Sequence, residues 1–523
     1  MDDNAQSWLA QFEEANGRPL RVLHYGNIAN NGYLNAKALR ALGVHADVLS
    51  HDYYHIMGCP EWEDAEVSGP WGDDFAPRWK GVATDFVLPP WFFRGPLDHC
   101  LESAIAQFDV HDAIPASNRP VSFAESVEGK LRSPGAAAFF ASHPKIFAIL
   151  RYVRRSLQRA GTTVRKPFSS WVRHGAGFQL QLSEAEKRQA QANEIVSELS
   201  RMFPDRIGQA DGVDVLRHTS LATKLRRLFD HYDIVHAYAT NPIQVWLSGK
   251  RPYVAYEHGT IRQLPFEKTA DGLCLAGAYR QADVTVITNC DNKLAAERLE
   301  LDPFVFVPHP VNEEFLASTT ASETLRRKLQ DEQAASFVLL HPSRQHWSEQ
   351  RDPSLEKGND ILIRGFARVV KEVDPQMLLV MVDWGQMVDE SKALLRELGC
   401  ADRVLWIPPQ PHRSFARWIN ASDAIADQFY LGAFGSLTPK AMACGKPVLL
   451  NLNEEMHEWC FERQPPVLNT KTPDDVFDAL RRISTNPDEC FRIGAESKAW
   501  YEAEHSMDVV AHRLTGVYER ALT

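Results

Sequence analysis

The chain alternates short apolar strands with helix-forming stretches twice over, once in each half, and that alternation restricts it to a parallel-sheet α/β fold. In the first half, residues 20–25 (LRVLHY) read as a strand, followed by a glycine- and asparagine-bearing turn (26–32), a helix at 33–42, a stop at Gly43 and a strand at 46–49. The same grammar returns at 232–237 (YDIVHA), 252–256 (PYVAY) and 284–288 (VTVIT). A second series opens at 337–341 (FVLLH) and runs through a helix at 360–372, a strand at 377–382, a helix at 390–398 and a strand at 403–407. It continues with a helix at 414–421, a loop and helix at 432–444 and a strand at 447–451. At 523 residues the chain exceeds what one hydrophobic core supports,. The expectation is two Rossmann-like, doubly wound domains facing each other across a cleft, joined near 308–314 (PHPVNEE),. The boundaries read as 1–312, 313–496 and a final helix, 497–523, that crosses back to the first domain. Residues from about 60 to 230 break the alternation and read as a helical insertion in the first domain.

Charge narrows the partners. Net charge is −11, with 44 % apolar and 24 % charged residues, an ordinary globular balance that argues against nucleic acid as a partner,. The eight cysteines are scattered, with no CxxC pair and no zinc-type spacing, so no metal site is expected and a reducing compartment fits,. The start, MDDNAQSW, carries acids where a secretion signal needs basic and apolar residues,. No stretch approaches the roughly 20 apolar residues of a membrane-spanning helix. The expected location is cytoplasmic, with peripheral attachment to the inner membrane face as an extension of it. One segment reverses the overall charge. Between Glu128 and Glu184 there is no acid but ten basic residues, interleaved with Phe139, Phe140, Phe147, Tyr152, Phe168 and Trp171. Two readings of 130–183 stand: contact with an anionic membrane surface or anionic acceptor, or a basic subdomain paired with acids elsewhere, such as 61–66, Asp73 and Asp74,.

The richest stretch is 427–450, DQFYLGAFGSLTPKAMACGKPVLL. Small residues lead directly into a helix. Glycine lets backbone N–H groups approach a ligand closely, and free amides at a helix start favour phosphate, so a diphosphate here would meet Gly435, Ser436 and Leu437, with the Ser436 or Thr438 hydroxyls beside it,. The wording FGxxxxKAMACGKPVLL resembles the donor-site signature of glycosyltransferase family four, EGFGxxxxEAMAxGxPV, carried by retaining enzymes of the GT-B fold. Arg344, in HPSR, resembles that family's GR, and Lys357-Gly358, in EKGNDILIRGF, resembles its KGxxxLIxA. The resemblance implies that Arg344 and Lys357 grip the donor diphosphate, with Gly358, Phe434, Gly435, Ser436, Leu437, Thr438 and Lys440 around the donor. The chemistry agrees, because a departing diphosphate needs cationic stabilisation, with arginine as a fork and lysine as a point charge.

In the first domain, His258 of Tyr256-Glu257-His258-Gly259-Thr260 follows a strand, where the family places a histidine near the donor sugar. Its expected task is a hydrogen bond to a sugar hydroxyl or to the reacting centre. Arg262 and Glu267 on the next loop, and Asn27, Asn30 and Asn31 after the first strand, are weaker candidates for the acceptor side. The pattern breaks at two places: the family's two glutamates fall at Gly432 and Lys440. The second normally accepts hydrogen bonds from ribose hydroxyls, which an ammonium cannot do for want of a lone pair. The chain therefore holds its donor differently, with Asp427 or Glu454 and Glu455 sharing the work, or takes an unusual donor, or is inactive. The expected function is transfer of a sugar from a nucleotide-diphosphate donor, without metal or other cofactor, to a hydroxyl on a glycan or lipid-linked acceptor in surface polysaccharide or glycolipid synthesis. A non-catalytic scaffold on the same frame and a nucleotide-sugar epimerase are the competing readings.

Overall fold

The computed structural model describes residues 2–51, 55–111, 184–347 and 356–523, so the basic stretch 130–183 lies outside the described residues. Residues 1–108 and 184–523 form one compact unit containing two parallel sheets.

The first sheet is built from β1 (Arg21–Tyr25), β2 (His45–Ser50), β3 (Phe92–Arg94), β4 (Ile234–Tyr238), β5 (Tyr253–Tyr256), β6 (Val284–Ile287) and β7 (Phe304–Phe306). Its spatial order is β3-β2-β1-β4-β5-β6-β7, all parallel. The second sheet takes β8 (Val338–His341), β9 (Leu378–Val382), β10 (Val404–Ile407), β11 (Ala424–Ala426), β12 (Val448–Leu450) and β13 (Leu468–Asn469), in the order β10-β9-β8-β11-β12-β13. Each sheet thus reverses direction of growth beside its first strand, and the crevice at the strand ends opens there. The expected α/β class with two doubly wound sheets is what the chain adopts.

The second-lobe strands are almost wholly apolar, with His341 and Asn469 the polar residues among them, because helices cover both faces,. The helix Asn359–Glu372 shows the complementary pattern: Leu362, Ile363, Phe366, Ala367, Val369 and Val370 face inward, and its charged residues face out,. Its entry is set by Gly358, whose φ of +65° is left-handed and whose added Cβ would lie 3.1 Å from Phe429 Cβ,.

Two features depart from the sequence reading. Much of 60–230 is integral to the first lobe rather than inserted into it. β3 extends its sheet edge, and Cys100, Ala104, Phe108, Ala192, Ile195, Leu199, Val215, Leu225 and Phe229 share one core with β1 and β4. A three-residue edge strand carries too little periodicity to read,. The C-terminal stretch is two helices, not one. Pro487–Glu504 places Trp500 and Tyr501 in the second-lobe core. Ser506 caps a new helix, Met507–Leu522, whose Val510, Leu514, Val517 and Tyr518 pack with Val22, Val254 and Val284 of the first lobe,.

Candidate active site

The two lobes enclose a cleft of about 470 Å³. On the second-lobe side, β8 ends at Pro342-Ser343-Arg344, and the turn before Asn359–Glu372 carries Lys357. A buried histidine clips these two loops together. His341 Nδ1–H donates to the Ala426 carbonyl (2.9 Å), and its Nε2 accepts from Asn359 Nδ2 (2.8 Å). Asn359 Oδ1 in turn accepts from the His346 N–H (2.9 Å), and the Lys357 N–H donates to the His346 carbonyl (2.9 Å). Burial lowers the His341 pKa to about 4, so the ring stays neutral and keeps both bonds,.

Lys357 Nζ donates to Gln428 Oε1 (2.7 Å). Burial pulls the Lys357 pKa down, while the Asp427 charge pulls it up; burial also lowers that of Arg344. Both cations line the cleft with Gly435, Ser436, Leu437 and Lys440. No atom lies within 4 Å of where a Gly435 Cβ would sit, so this turn presents backbone to open space. Gly432, at φ +79°, makes the preceding bend, and a Cβ there would stand 3.0 Å from Asn453 Cβ. A glutamate at 432 would therefore be strained by both backbone and neighbour.

On the first-lobe side, β5 delivers Glu257-His258-Gly259. The buried Glu257 carboxylate accepts from the N–H groups of Gly259 (2.5 Å), Thr288 (2.8 Å) and Asn289 (3.0 Å) and from Asn292 Nδ2 (2.6 Å). It thereby ties the ends of β5 and β6 and fixes the turn bearing His258. Asn31 Nδ2 donates to His258 Nδ1 (2.9 Å), so the ring carries its proton on Nε2,. Burial, with Arg262 adding repulsion, lowers the His258 pKa to about 4. His258 is thus a neutral donor. Arg262 reaches the cleft but is already engaged by Asp291 at 2.6 and 2.9 Å.

Of the residues singled out from sequence, the cleft brings together Asn31, His258, Arg262, Arg344, Lys357, Asp427, Gly435, Ser436, Leu437 and Lys440. Eight others do not line it: Gly358, Phe434, Thr438, Asn27, Asn30, Glu267, Glu454 and Glu455. Gly358 shapes the turn behind Lys357. Phe434 is 8 % exposed and stacks on His457 at 5.1 Å. Thr438 is fully buried and donates to Asp427 Oδ2 (2.7 Å). Asn27 is spent on the Gly58 carbonyl, Asn30 Oδ1 and the Tyr33 N–H. Asn30 donates to the Cys59 carbonyl (2.8 Å). Glu267 lines a separate first-lobe cavity of about 590 Å³. The helix Leu437–Ala443 spans seven residues, so the cations and exposed amides, rather than a helix dipole, supply the positive field,. The cleft also holds His309, Gln428, Trp384 and His412, which sequence reasoning did not single out, and Glu63, which it read only as part of the acidic stretch 61–66. Gln428 sits inside the motif and was findable there; Glu63 lies in the aperiodic Trp- and Pro-rich stretch, where its sequence signals an acidic cluster but not a place in the cleft.

Residues 354–500 match the model of a protein family described as glycosyl transferases group 1. The D-inositol 3-phosphate glycosyltransferase of Nocardia farcinica is 26 % identical over 241 residues, 44 % of this chain and 53 % of that protein. The enzyme of the same name from Xylanimonas cellulosilytica is 35 % identical over 95 residues, 18 % of this chain and 23 % of the other. The chain therefore spans about half, or less, of the length of these curated relatives. Among solved structures, Anabaena HepE in complex with UDP aligns with a TM-score of 0.46 at 17 % identity, over 57 % of this chain and 82 % of that one.

Proposed function

We propose, from the premise that residues 354–500 belong to the glycosyl transferases group 1 family, that this chain transfers a sugar from a nucleotide-diphosphate donor to a hydroxyl acceptor with retention of anomeric configuration. One observation carries the reading: Arg344, Lys357 and the Gly435–Leu437 turn line one wall of a cleft whose facing wall presents His258. The diphosphate rests against the two cations and the exposed amides. As the C1–O bond breaks, negative charge grows on the leaving oxygen, where fixed positive groups in a water-poor cleft stabilise it most. His258 Nε2–H donates to a donor-sugar oxygen, held in place through Asn31 and Glu257. Positive charge at the leaving group comes from side chains, so transfer proceeds without a metal.

For the acceptor, a phosphorylated polyol comes first, because the matched relatives are named for one. A hydroxyl on a lipid-linked or glycan acceptor in surface polysaccharide or glycolipid synthesis comes second, supported by the acid-free basic stretch 130–183 as a surface for anionic lipid on the cytoplasmic side,. Among the described residues no helix is long and apolar enough to cross a membrane.

The test is release of nucleoside diphosphate from a panel of nucleotide sugars, with and without EDTA, using inositol 3-phosphate and lipid-linked acceptors. Product configuration is read by NMR. Turnover insensitive to EDTA with a retained anomer is the expected result. Binding of nucleotide without turnover on any acceptor would return the chain to a scaffold role.

A further inference from the structure

Away from the two cations, the first-lobe helix Pro60–Asp64 meets the second-lobe helix His412–Ala421. Glu63 is 5 % exposed and His412 is 2 % exposed, and both line the cleft with Lys440. Glu63 Oε2 stands 3.6 Å from His412 Nδ1, beyond hydrogen-bond reach,. Among the described residues Glu63 Oε2 has no hydrogen-bond partner, and neither ring nitrogen of His412 bonds to a side chain. Burial raises the Glu63 pKa, against the pull of Lys440, with Asn30 and Lys37 pulling the same way as Lys440. Burial and Lys440 hold His412 neutral, with the Asn312 backbone opposing them weakly.

Lys440, Lys37 and the Asn30 side chain stabilise the Glu63 carboxylate in part, but its Oε2 is buried without a donor of its own, which costs free energy,. The missing donor is a ligand group. A cation would meet Lys440, and a phosphate would meet Glu63. A hydroxyl pair satisfies all three side chains, because one O–H donates to the carboxylate while its neighbour exchanges hydrogen bonds with the imidazole and accepts from the ammonium.

We infer that Glu63, His412 and Lys440 form a diol subsite that spans both lobes. It rests on the sugar-transfer reading and extends it. The hydroxyl-accepting carboxylate that Lys440 cannot supply comes from the opposite lobe, so ligand binding draws Glu63 toward His412 and Lys440. Vicinal hydroxyls occur on the nucleotide ribose and on a polyol acceptor, and the experiment separates these sources.

The full chain is titrated calorimetrically with UDP and GDP, then with the 2′-deoxy and 3′-deoxy forms of whichever binds. Glu63→Gln and His412→Asn are measured alongside, with thermal melts as a check of folding. If the diol is the ribose, wild type discriminates against a deoxy form by about tenfold to a hundredfold, and Glu63→Gln weakens the parent nucleotide by a similar factor while losing that discrimination. If the diol is the acceptor's, nucleotide affinity stays as in wild type and the KM for inositol 3-phosphate rises by about tenfold or more in both variants. Folded variants that leave nucleotide affinity, deoxy discrimination and acceptor KM unchanged overturn the subsite alone. If neither these nor ADP, CDP or dTDP binds wild type, the sugar-transfer reading falls and takes the subsite with it.

Discussion

The two lobes share a sheet topology but not an interior. The second-lobe sheet is aliphatic: Val338, Leu339, Leu340, Leu378 through Val382, Ile425 and Val448 through Leu450 fill both faces, interrupted by His341. The first-lobe sheet carries a buried polar-aromatic layer. His24 Nδ1 pairs with Tyr238 Oη (2.7 Å), which also accepts from Asn35 Nδ2 (3.0 Å), and His236 Nδ1 pairs with Tyr518 Oη (2.8 Å). An aliphatic core tolerates many partners of similar volume, whereas a buried polar layer accepts only one that completes its hydrogen bonds. The second lobe is accordingly a platform carrying charged groups at its rim. The first lobe selects its own neighbours, including the C-terminal helix, and offers the cleft the neutral His258 and Asn31 beside an Arg262 already paired with Asp291 and the buried Glu63.

That division assigns leaving-group stabilisation to the second lobe, and the largest expected effect tests it. Arg344→Ala and Lys357→Ala should each lower kcat by about a hundredfold to a thousandfold, with KM for the donor rising as well. Steady-state rates with the active nucleotide sugar measure this. Retention of full activity by both variants would remove the second lobe's role in the chemistry. His258→Ala should cost less, about tenfold to a hundredfold in kcat, because a single neutral hydrogen bond is lost. Asn31→Ala, which frees the ring tautomer without removing the ring, should cost part of that.

How far these residues could be read in advance follows the same divide. Arg344 and Lys357 are cations beside glycine and small residues in a lobe whose strands are almost wholly apolar, so both motif and sheet stand out. The motif could not say which of its side chains turn inward: Phe434 belongs to it but stacks on His457, and Thr438 belongs to it but is buried against Asp427. In the first lobe the signal is weaker. His24 and His236 interrupt strands that would otherwise read as aliphatic, β3 is three residues long, and Glu63 reaches the cleft only through tertiary packing. The Asn27 and Asn30 side chains serve their own turn, which sequence alone cannot distinguish from lining a site,.

Acid should separate the lobes. Burial lowers the pKa of His24 to about 3 and of His258 to about 4, and holds His236 and His309 well below the ordinary value; in the second lobe it acts on His341, to about 4, His505, to about 3, and His412, well below the ordinary value, but only His341 lies in the sheet, against His24 and His236 in the first. A histidine with a depressed folded pKa binds its proton more readily when unfolded. Its contribution is therefore intact above the ordinary value near 6.5 and is lost as pH falls toward the folded value. At pH 5 each such group costs about 2 kcal/mol. Buried Glu257 and Asp427, whose pKa values are raised by burial, offset part of this. Hydrogen exchange between pH 7 and pH 5 should show first-lobe strands losing protection before those of the second lobe. Equal loss in both would mean that the histidine layer does not set acid stability.

The smallest expected effect isolates one bond of that layer. Tyr518 is fully buried, and its hydroxyl meets His236 Nδ1 at 2.8 Å while its ring packs edge-on to the same imidazole at 5.7 Å. Tyr518→Phe keeps the ring and the volume and removes only the hydroxyl, so the cost is that of a buried hydrogen bond, about 1 kcal/mol, rather than a cavity. Burial keeps His236 neutral, and an uncharged nitrogen left without its partner forfeits less than a charged one would,. Urea unfolding should therefore show a lowered midpoint at unchanged slope, with catalytic parameters at neutral pH unaltered. A changed slope instead would mean that the helix Met507–Leu522 had detached from the first lobe, and that the hydroxyl, not the apolar face of Val510, Leu514 and Val517, decides where the end of the chain docks.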